Sequence, residues 1–323
     1  MKSIQVLRAA AVAFSVAGAF GVQAQTLKLG HITPPTDVWH QVSEQIGAGL
    51  EKASGGKMKV AVSPLQKLGN EAQMINLMQA GAQQFGVFTV GGLSNREESF
   101  LAWSLPYTFK DVAHATRAAS TPAAKTMLKR LEPHGMVGLG YTFAGMRHVL
   151  SLQPVASAKD LANKKIRSFP SPIYNDWWQA NGAAPTAMPL SEVAPSLTTK
   201  LLDAVDVDLD ALVGLKFHQQ APNLTLTNHM AFPAVIVVSK KWWDSRSQAE
   251  RDMITKVVAE AEKAGYQTAI DAEASNLTKA KADGAKVVNA DLKSFQAVGA
   301  KVRDQYTAKN PLIADFYKQA KDL

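Results

Sequence analysis

SQAERDMITKVVAEAEKAGYQTAIDAEASNLTKAKADG, residues 247–284, runs from a helix start to a helix stop with no proline between them. Ser247-Gln-Ala-Glu250 matches a capping box, in which the Ser accepts from the helix N-terminal N–H and the Glu reaches back. Only Gly265 weakens helix propensity before Asp283-Gly284 ends the run. About 36 residues at 1.5 Å each make a helix of roughly 54 Å, longer than a single small domain is wide. Such a helix either enters a coiled coil or lies across two domains. Its heptads are poor, with Ala and polar residues throughout, which favours the bridging role.

The remainder of the chain fits two domains beneath that helix. A length of 323 residues allows two at roughly 150 each. Leu27 to Gly30 alternates like a first strand, and Asp37 is placed to cap a helix running to about Lys52, with Val38, Val42, Ile46 and Leu50 at helical spacing. Lys57 to Val62 reads as a second strand, Asn70 to Gln79 as a second helix, and Phe85 to Val90 as a third strand. This alternation predicts a parallel sheet covered on both faces. A second block repeats the architecture without the sequence: strands at Val137 to Phe143, Lys165 to Phe169, Leu202 to Leu209 and Ala231 to Val238, with helices at Ile173 to Asn181 and Ser191 to Lys200.

Composition narrows the chemistry. A 46% hydrophobic content and six Trp exclude a disordered chain, and the absence of Cys excludes disulfides, thiolate nucleophiles and Cys-ligated metal centres. Lys2 and Arg8, the apolar run Ala9 to Ala19, and Val22-Gln23-Ala24 have the layout of a secretory leader cut after Ala24. The run is too short for a bilayer core, which needs about 20 residues. Export is therefore expected, with residues 1–24 as the signal peptide. The net charge is +8; without Lys2 and Arg8, 33 basic residues stand against 27 acidic ones, a mild bias towards anionic partners.

Catalytic signatures are missing. The sequence contains no Gly-x-Ser-x-Gly and no His-Glu-x-x-His, and its Gly55-Gly56-Lys57 and Gly138-Leu-Gly140 lack the remainder of a phosphate-binding or dinucleotide fingerprint. Positive charge is scattered, which argues against nucleic acid. Asp206, Asp208 and Asp210 alternate with Val207 and Leu209 and would share one face of a strand. Three carboxylates together need partners; pairing with an Arg fits better than a hard-cation site, because the Gly turn and Glu of a calcium loop are absent.

The stretches Leu27-Lys-Leu-Gly-His-Ile-Thr-Pro-Pro35, Gln66-Lys-Leu-Gly-Asn70, Leu105-Pro-Tyr-Thr-Phe109, Ala144-Gly-Met-Arg147, Lys165-Ile-Arg-Ser-Phe-Pro-Ser-Pro-Ile-Tyr174, Met188-Pro-Leu-Ser-Glu-Val193 and Leu224-Thr-Leu-Thr-Asn-His229 occur in an order and spacing that carry a resemblance. The chain resembles the DctP-type solute-binding proteins of tripartite ATP-independent periplasmic (TRAP) transporters over essentially all its length after the leader. The resemblance implies an α/β, two-lobed periplasmic binding protein fold, with mixed sheets flanked by helices and a long C-terminal helix bridging both lobes. Lobe I would comprise residues 25–145 and 233–272, and lobe II residues 146–232 and 273–323. It also implies a monomeric periplasmic receptor, not an enzyme and without a cofactor or metal, which binds a small carboxylate between the lobes and delivers it to TRAP membrane subunits. The alternatives are the binding protein of an ATP-driven importer or sensor kinase, and an exported hydrolase or lyase using Asp206 and Asp208.

In the family, the arginine at the position of Arg167 binds the ligand carboxylate, and the one at Arg147 points into the cleft. A guanidinium suits this task because it offers parallel N–H donors at carboxylate spacing and stays charged. Arg147 would either bind another ligand oxygen or pair with Asp206. Phe169 would supply an apolar wall, and Asn70, Phe88 and Thr89 lie at a helix start and a strand end, where open α/β sheets place ligands. The family usually has Gly-x-Glu-Asn where this chain has Ala204-Val205-Asp206-Val207. Loss of an Asn at Val207 points to a small or aromatic carboxylate over a polyhydroxylated one.

Overall fold

The computed structural model describes residues 25–323; the expected leader, residues 1–24, lies outside the described residues. Ten strands are present: β1 (Gln25–Gly30), β2 (Met58–Ser63), β3 (Phe85–Thr89), β4 (Met136–Ser151), β5 (Lys165–Ser168), β6 (Ala184–Ala187), β7 (Ala204–Asp208), β8 (Asn223–Thr225), β9 (Ala231–Ser239) and β10 (Lys286–Val288). They form a mixed array in the order β2-β1-β3-β9-β4-β7-β5-β6, with β8 joining β4 to β10. The expected parallel order of the first three strands holds, since β1 pairs in parallel with both β2 and β3. What periodicity did not reveal is that β9 is inserted antiparallel between β3 and β4.

Strand β4 is the seam. Its first part, to Met146, pairs with β9, and its last part, from Arg147, pairs with β7. The changeover follows a register shift between Phe143 and Met146. Gly145 lies inside that shift with φ +145°, and a Cβ there would come within 2.6 Å of a Glu273 carboxylate oxygen. Only glycine passes without a side-chain penalty at such a point. Two sheets thus share one 16-residue strand, and the two-lobed α/β fold follows.

The long helix spans Gln248–Ala282, and the capping box at Ser247 and Glu250 forms as expected. At 1.5 Å per residue it is about 52 Å long. Near its first half, Glu262 accepts from Tyr141 N (2.7 Å); farther on, Glu273 accepts from Met146 N (3.2 Å) and Asn276 donates to Asp210 (3.1 Å). Gly265 is a packing residue, because a Cβ there would lie 2.5 Å from Val42 Cγ2 on the helix Val38–Ala53. Gly49 and Val257 make the reciprocal close contact.

Two expectations of local structure are corrected. Asp210 does not continue the strand: β7 ends at Asp208, whose side chain caps the short helix Leu209–Gly214 that contains Asp210. The helix expected over Ser191 to Lys200 is confined to Val193–Thr198. A capping Asp satisfies free helix N–H groups, so it stops a strand that alternation alone would extend. No helix among the described residues is long and apolar enough to cross a membrane.

Candidate functional site

Arg167 lies on β5, between β7 and β6, and is only 2% exposed. Pro170 and Pro172 end the strand and start the helix Pro172–Ala180, whose first turn includes proline. The Nε and Nη2 of Arg167 both donate to the Met188 carbonyl at 3.2 Å. Its guanidinium carbon stands 3.9 Å from the centroid of the Phe169 ring. The side-on edge of the fork is thereby held by the protein, and the residue also lines the adjoining cavity. Burial, with Arg147 nearby, pushes the pKa down to about 9, which leaves the group charged at neutral pH.

That cavity has a volume of about 240 Å³. Arg167, Phe169 and Met188 line one wall, and Asn70, Glu71 and Asn95 line another. Ile32, Ile75 and Leu190 add apolar surface. Asn70 caps the helix Glu71–Ala80 by accepting from Gln73 N and forms a full capping box with Gln73. The next residue, Glu71, accepts from Thr89 N (2.6 Å) and Thr89 Oγ1 (2.8 Å). Burial raises the Glu71 carboxyl to about 7, against the pull of those two hydrogen bonds and of Arg167.

Arg147 sits behind this wall. It is 1% exposed and does not border the cavity. Its Nε and Nη2 bond the Asp206 carboxylate and carbonyl, and Nη1 bonds Asp208 Oδ2 at 3.0 Å. Of the two roles open to it in the sequence, pairing with Asp206 is the one the structure displays. The other Asp206 oxygen accepts from Trp178 Nε1 (3.1 Å) and contacts His229 Nε2 (3.3 Å). Burial would raise the Asp206 pKa, but Arg147 and His229 hold it down at about 2. Phe169 separates the two arginines, its ring centroid being 4.7 Å from Arg147 and 3.9 Å from Arg167. Both guanidinium ions thus lie within cation–π range of the same electron-rich ring, which offsets part of their repulsion.

The structure brings Arg167, Phe169 and Asn70 together at the cavity and leaves four of the expected residues behind it. Arg147 and Asp206 form the supporting layer, and Thr89 acts through Glu71. Phe88 is fully buried, with its ring against Gly86 and Met78; β3 is buried on both faces, so alternation along it cannot aim a side chain at a cleft. The expectation for position 207 is also corrected. Val207 belongs to the second apolar core with Leu150, Val205 and Leu212, because alternation along β7 turns it away from Asp206 and Asp208. Its identity therefore says nothing about ligand hydroxyl groups. Glu71, Asn95 and the Met188 carbonyl were not anticipated. Glu71 had one legible signal, as an acid in a helix first turn beside a capping Asn.

A larger cavity, about 410 Å³, opens on the opposite face of β4 and is lined by Met146, His148 and Glu273. Its cation is Lys110, a point charge, whereas the smaller cavity has the planar fork of Arg167.

Residues 29–310 match the family described as bacterial extracellular solute-binding protein, family 7, of DctP type. The chain belongs to that family. Like its other members it is a solute-binding receptor and not an enzyme. The 2,3-diketo-L-gulonate-binding periplasmic protein YiaO of Escherichia coli is 29% identical over 98% of this chain and 99% of its own length. A TRAP periplasmic solute binding protein of Bradyrhizobium, solved with galacturonate, superposes with a TM-score of 0.88 at 27% identity, covering 93% of this chain and all of that one. One of Polaromonas, solved with D-erythronate, gives 0.87 at 26% identity, covering 92% and 98%. Family 7 membership and these relatives support the TRAP reading over an ATP-driven importer or an exported hydrolase.

Proposed function

We propose that this family 7 protein captures an organic-acid anion in the cavity beside Arg167 and presents it to the membrane subunits of a TRAP transporter. The observation that carries this reading is a buried guanidinium that lines a cavity while a backbone carbonyl holds its Nε and Nη2. A carboxylate placed there meets two N–H groups end-on, with charge-assisted hydrogen bonds of about 1.5–3 kcal/mol each. Asn70, Glu71 and Asn95, on the opposite wall, suit hydroxyl groups along the remainder of the ligand. Ile32, Ile75 and Leu190 suit its carbon face. Galacturonate and D-erythronate, the ligands named for two relatives, have this division into a carboxylate and a hydroxylated chain.

The same reading makes residues 1–24 a cleaved signal peptide and the mature receptor periplasmic. It assigns residues 25–145 with 233–272 to one lobe and 146–232 with 273–323 to the other; the helix Pro311–Ala320 reaches back onto the helices Val112–Ala118 and Pro122–Lys129. A thermal-shift screen of aliphatic, aromatic and sugar carboxylic acids tests the proposal. A ligand at 100 times its dissociation constant stabilises by about 2.7 kcal/mol. Some acid should raise the melting temperature of the wild type and not of Arg167→Ala; an equal rise in both would reject the assignment.

A further inference from the structure

The loop after β1 meets the helix after β7 through two acids that ligand capture does not use. Asp37 caps the helix Val38–Ala53 with Oδ1, which accepts from Trp39 N at 2.8 Å. The preceding N–H of that helix, on Val38, is taken by Asp210 Oδ2 from the helix Leu209–Gly214, also at 2.8 Å. One helix N-terminus is therefore shared by two carboxyl groups from different lobes. Asp37 is fully buried, and its Oδ2 makes no hydrogen bond; Thr33 lies near the carboxyl and favours its ionised form without closing that gap. The approach is close all round, since a Cβ on Gly214 would lie 2.8 Å from Pro34 and Thr36.

We infer that Asp37 and Asp210 form a proton-held latch between the lobes, closed while one proton is shared by the two carboxyl groups and released when both are ionised. The inference rests on the two-lobed receptor reading and adds a regulator of its closing step. Two ionised carboxylates in contact without water repel, whereas a carboxylic acid donates to a carboxylate. A proton on Asp37 would supply the donor that the contact lacks. Burial raises both groups, helped by the charges of Asp210 and Asp208 at Asp37 and by that of Asp208 at Asp210, which reaches about 6.

The surrounding charges do not substitute for that proton. Asp208 and Glu273 add negative charge, and Arg147 is already bonded to Asp206 and Asp208. Asn276 donates to Asp210 Oδ1, and Thr33 reaches Asp37. His31 and His40 hydrogen-bond each other, and burial holds His31 down at about 3, hence neutral. Ile32 in the same loop lines the ligand cavity, so opening the latch moves a cavity wall.

The sign follows from linkage. Closure takes up a proton from water, so the closed form is favoured at low pH and loses that advantage as pH rises above the ordinary carboxylate range, near 4, and through the raised pKa of the last shared proton, which burial holds on Asp37. One linked proton changes the closing equilibrium by at most about tenfold per pH unit. The chain has no Cys, so spin labels at Gln45→Cys and Gln179→Cys, one per lobe, report the interlobe distance without ligand. Double electron–electron resonance should show the shorter distance gaining population between pH 8 and pH 5. Asp210→Asn, whose amide can donate to Asp37 and whose oxygen can still accept from Val38, should hold that distance at both pH values. Asp37→Asn, which keeps a good cap, provides the same test should the first variant fold poorly. Glu71→Gln, which removes the other carboxyl titrating in this range, should leave the shift in place. A wild-type distribution indifferent to pH, or the same shift in both Asn variants, would overturn the latch and leave the carboxylate assignment standing.

Discussion

Replacing Arg167 by Ala removes two N–H donors and a buried cation from the cavity, leaving Arg96, which also lines it. Two charge-assisted hydrogen bonds at about 1.5–3 kcal/mol each, reduced by water filling the truncated space, leave a loss of roughly 3–5 kcal/mol. At 1.4 kcal/mol per decade the dissociation constant should rise about a hundred- to a few-thousand-fold. Isothermal titration with the best acid from the thermal screen measures this directly. Arg167→Lys keeps the charge but not the planar fork, and its affinity should fall between the two. The fold should not suffer in proportion. Arg167 is buried beside Arg147, and burial already pushes its pKa down, so the ligand-free protein holds a charge it would be easier without. Arg167→Met should therefore melt close to the wild type or above it, as expected where a binding group is kept at a cost to stability. A folded Arg167→Ala with wild-type affinity would refute the argument.

Asp206→Ala should act oppositely, unfolding the protein more readily by about 3–5 kcal/mol in urea titrations, because it leaves Arg147 Nε, Trp178 Nε1 and His229 Nε2 without their acceptor. Asn70→Asp keeps the helix cap and places a negative charge on the cavity wall, so titration calorimetry should show weaker anion binding with an unchanged melting temperature. Gly265→Ala would gain about 1 kcal/mol at an exposed helical site, but here the added methyl meets Val42 at 2.5 Å, and a net loss of stability is expected by calorimetry. For pH, Glu71 is raised to about 7 from 4.5, so the folded state binds its proton more tightly than the unfolded chain. Its contribution is complete below 4.5 and is lost as pH rises through 7, and urea midpoints of wild type and Glu71→Gln across pH 4.5–8 should diverge with that sign.

Local chemistry was enough for the elements whose ends are set by nearest neighbours. The capping boxes at Ser247 and Asn70, the proline-free run to Ala282 and the spacing of Val38, Val42, Ile46 and Leu50 each concern residues a few positions apart, and those helices appear where expected. Arg167 was singled out through the family resemblance, since a lone arginine on a strand does not by itself announce a ligand site. Tertiary structure decided the rest. Only the insertion of β9 beside β4 makes β4 a seam, and only pairing with β7 brings Arg147 to Asp206 and Asp208. Glu71 meets Arg167 across nearly a hundred residues of chain, and Asp37 meets Asp210 across a still longer span. No periodicity encodes such encounters, because burial and charge pairing act through space, and the distance between two side chains is fixed only once the sheets have been ordered.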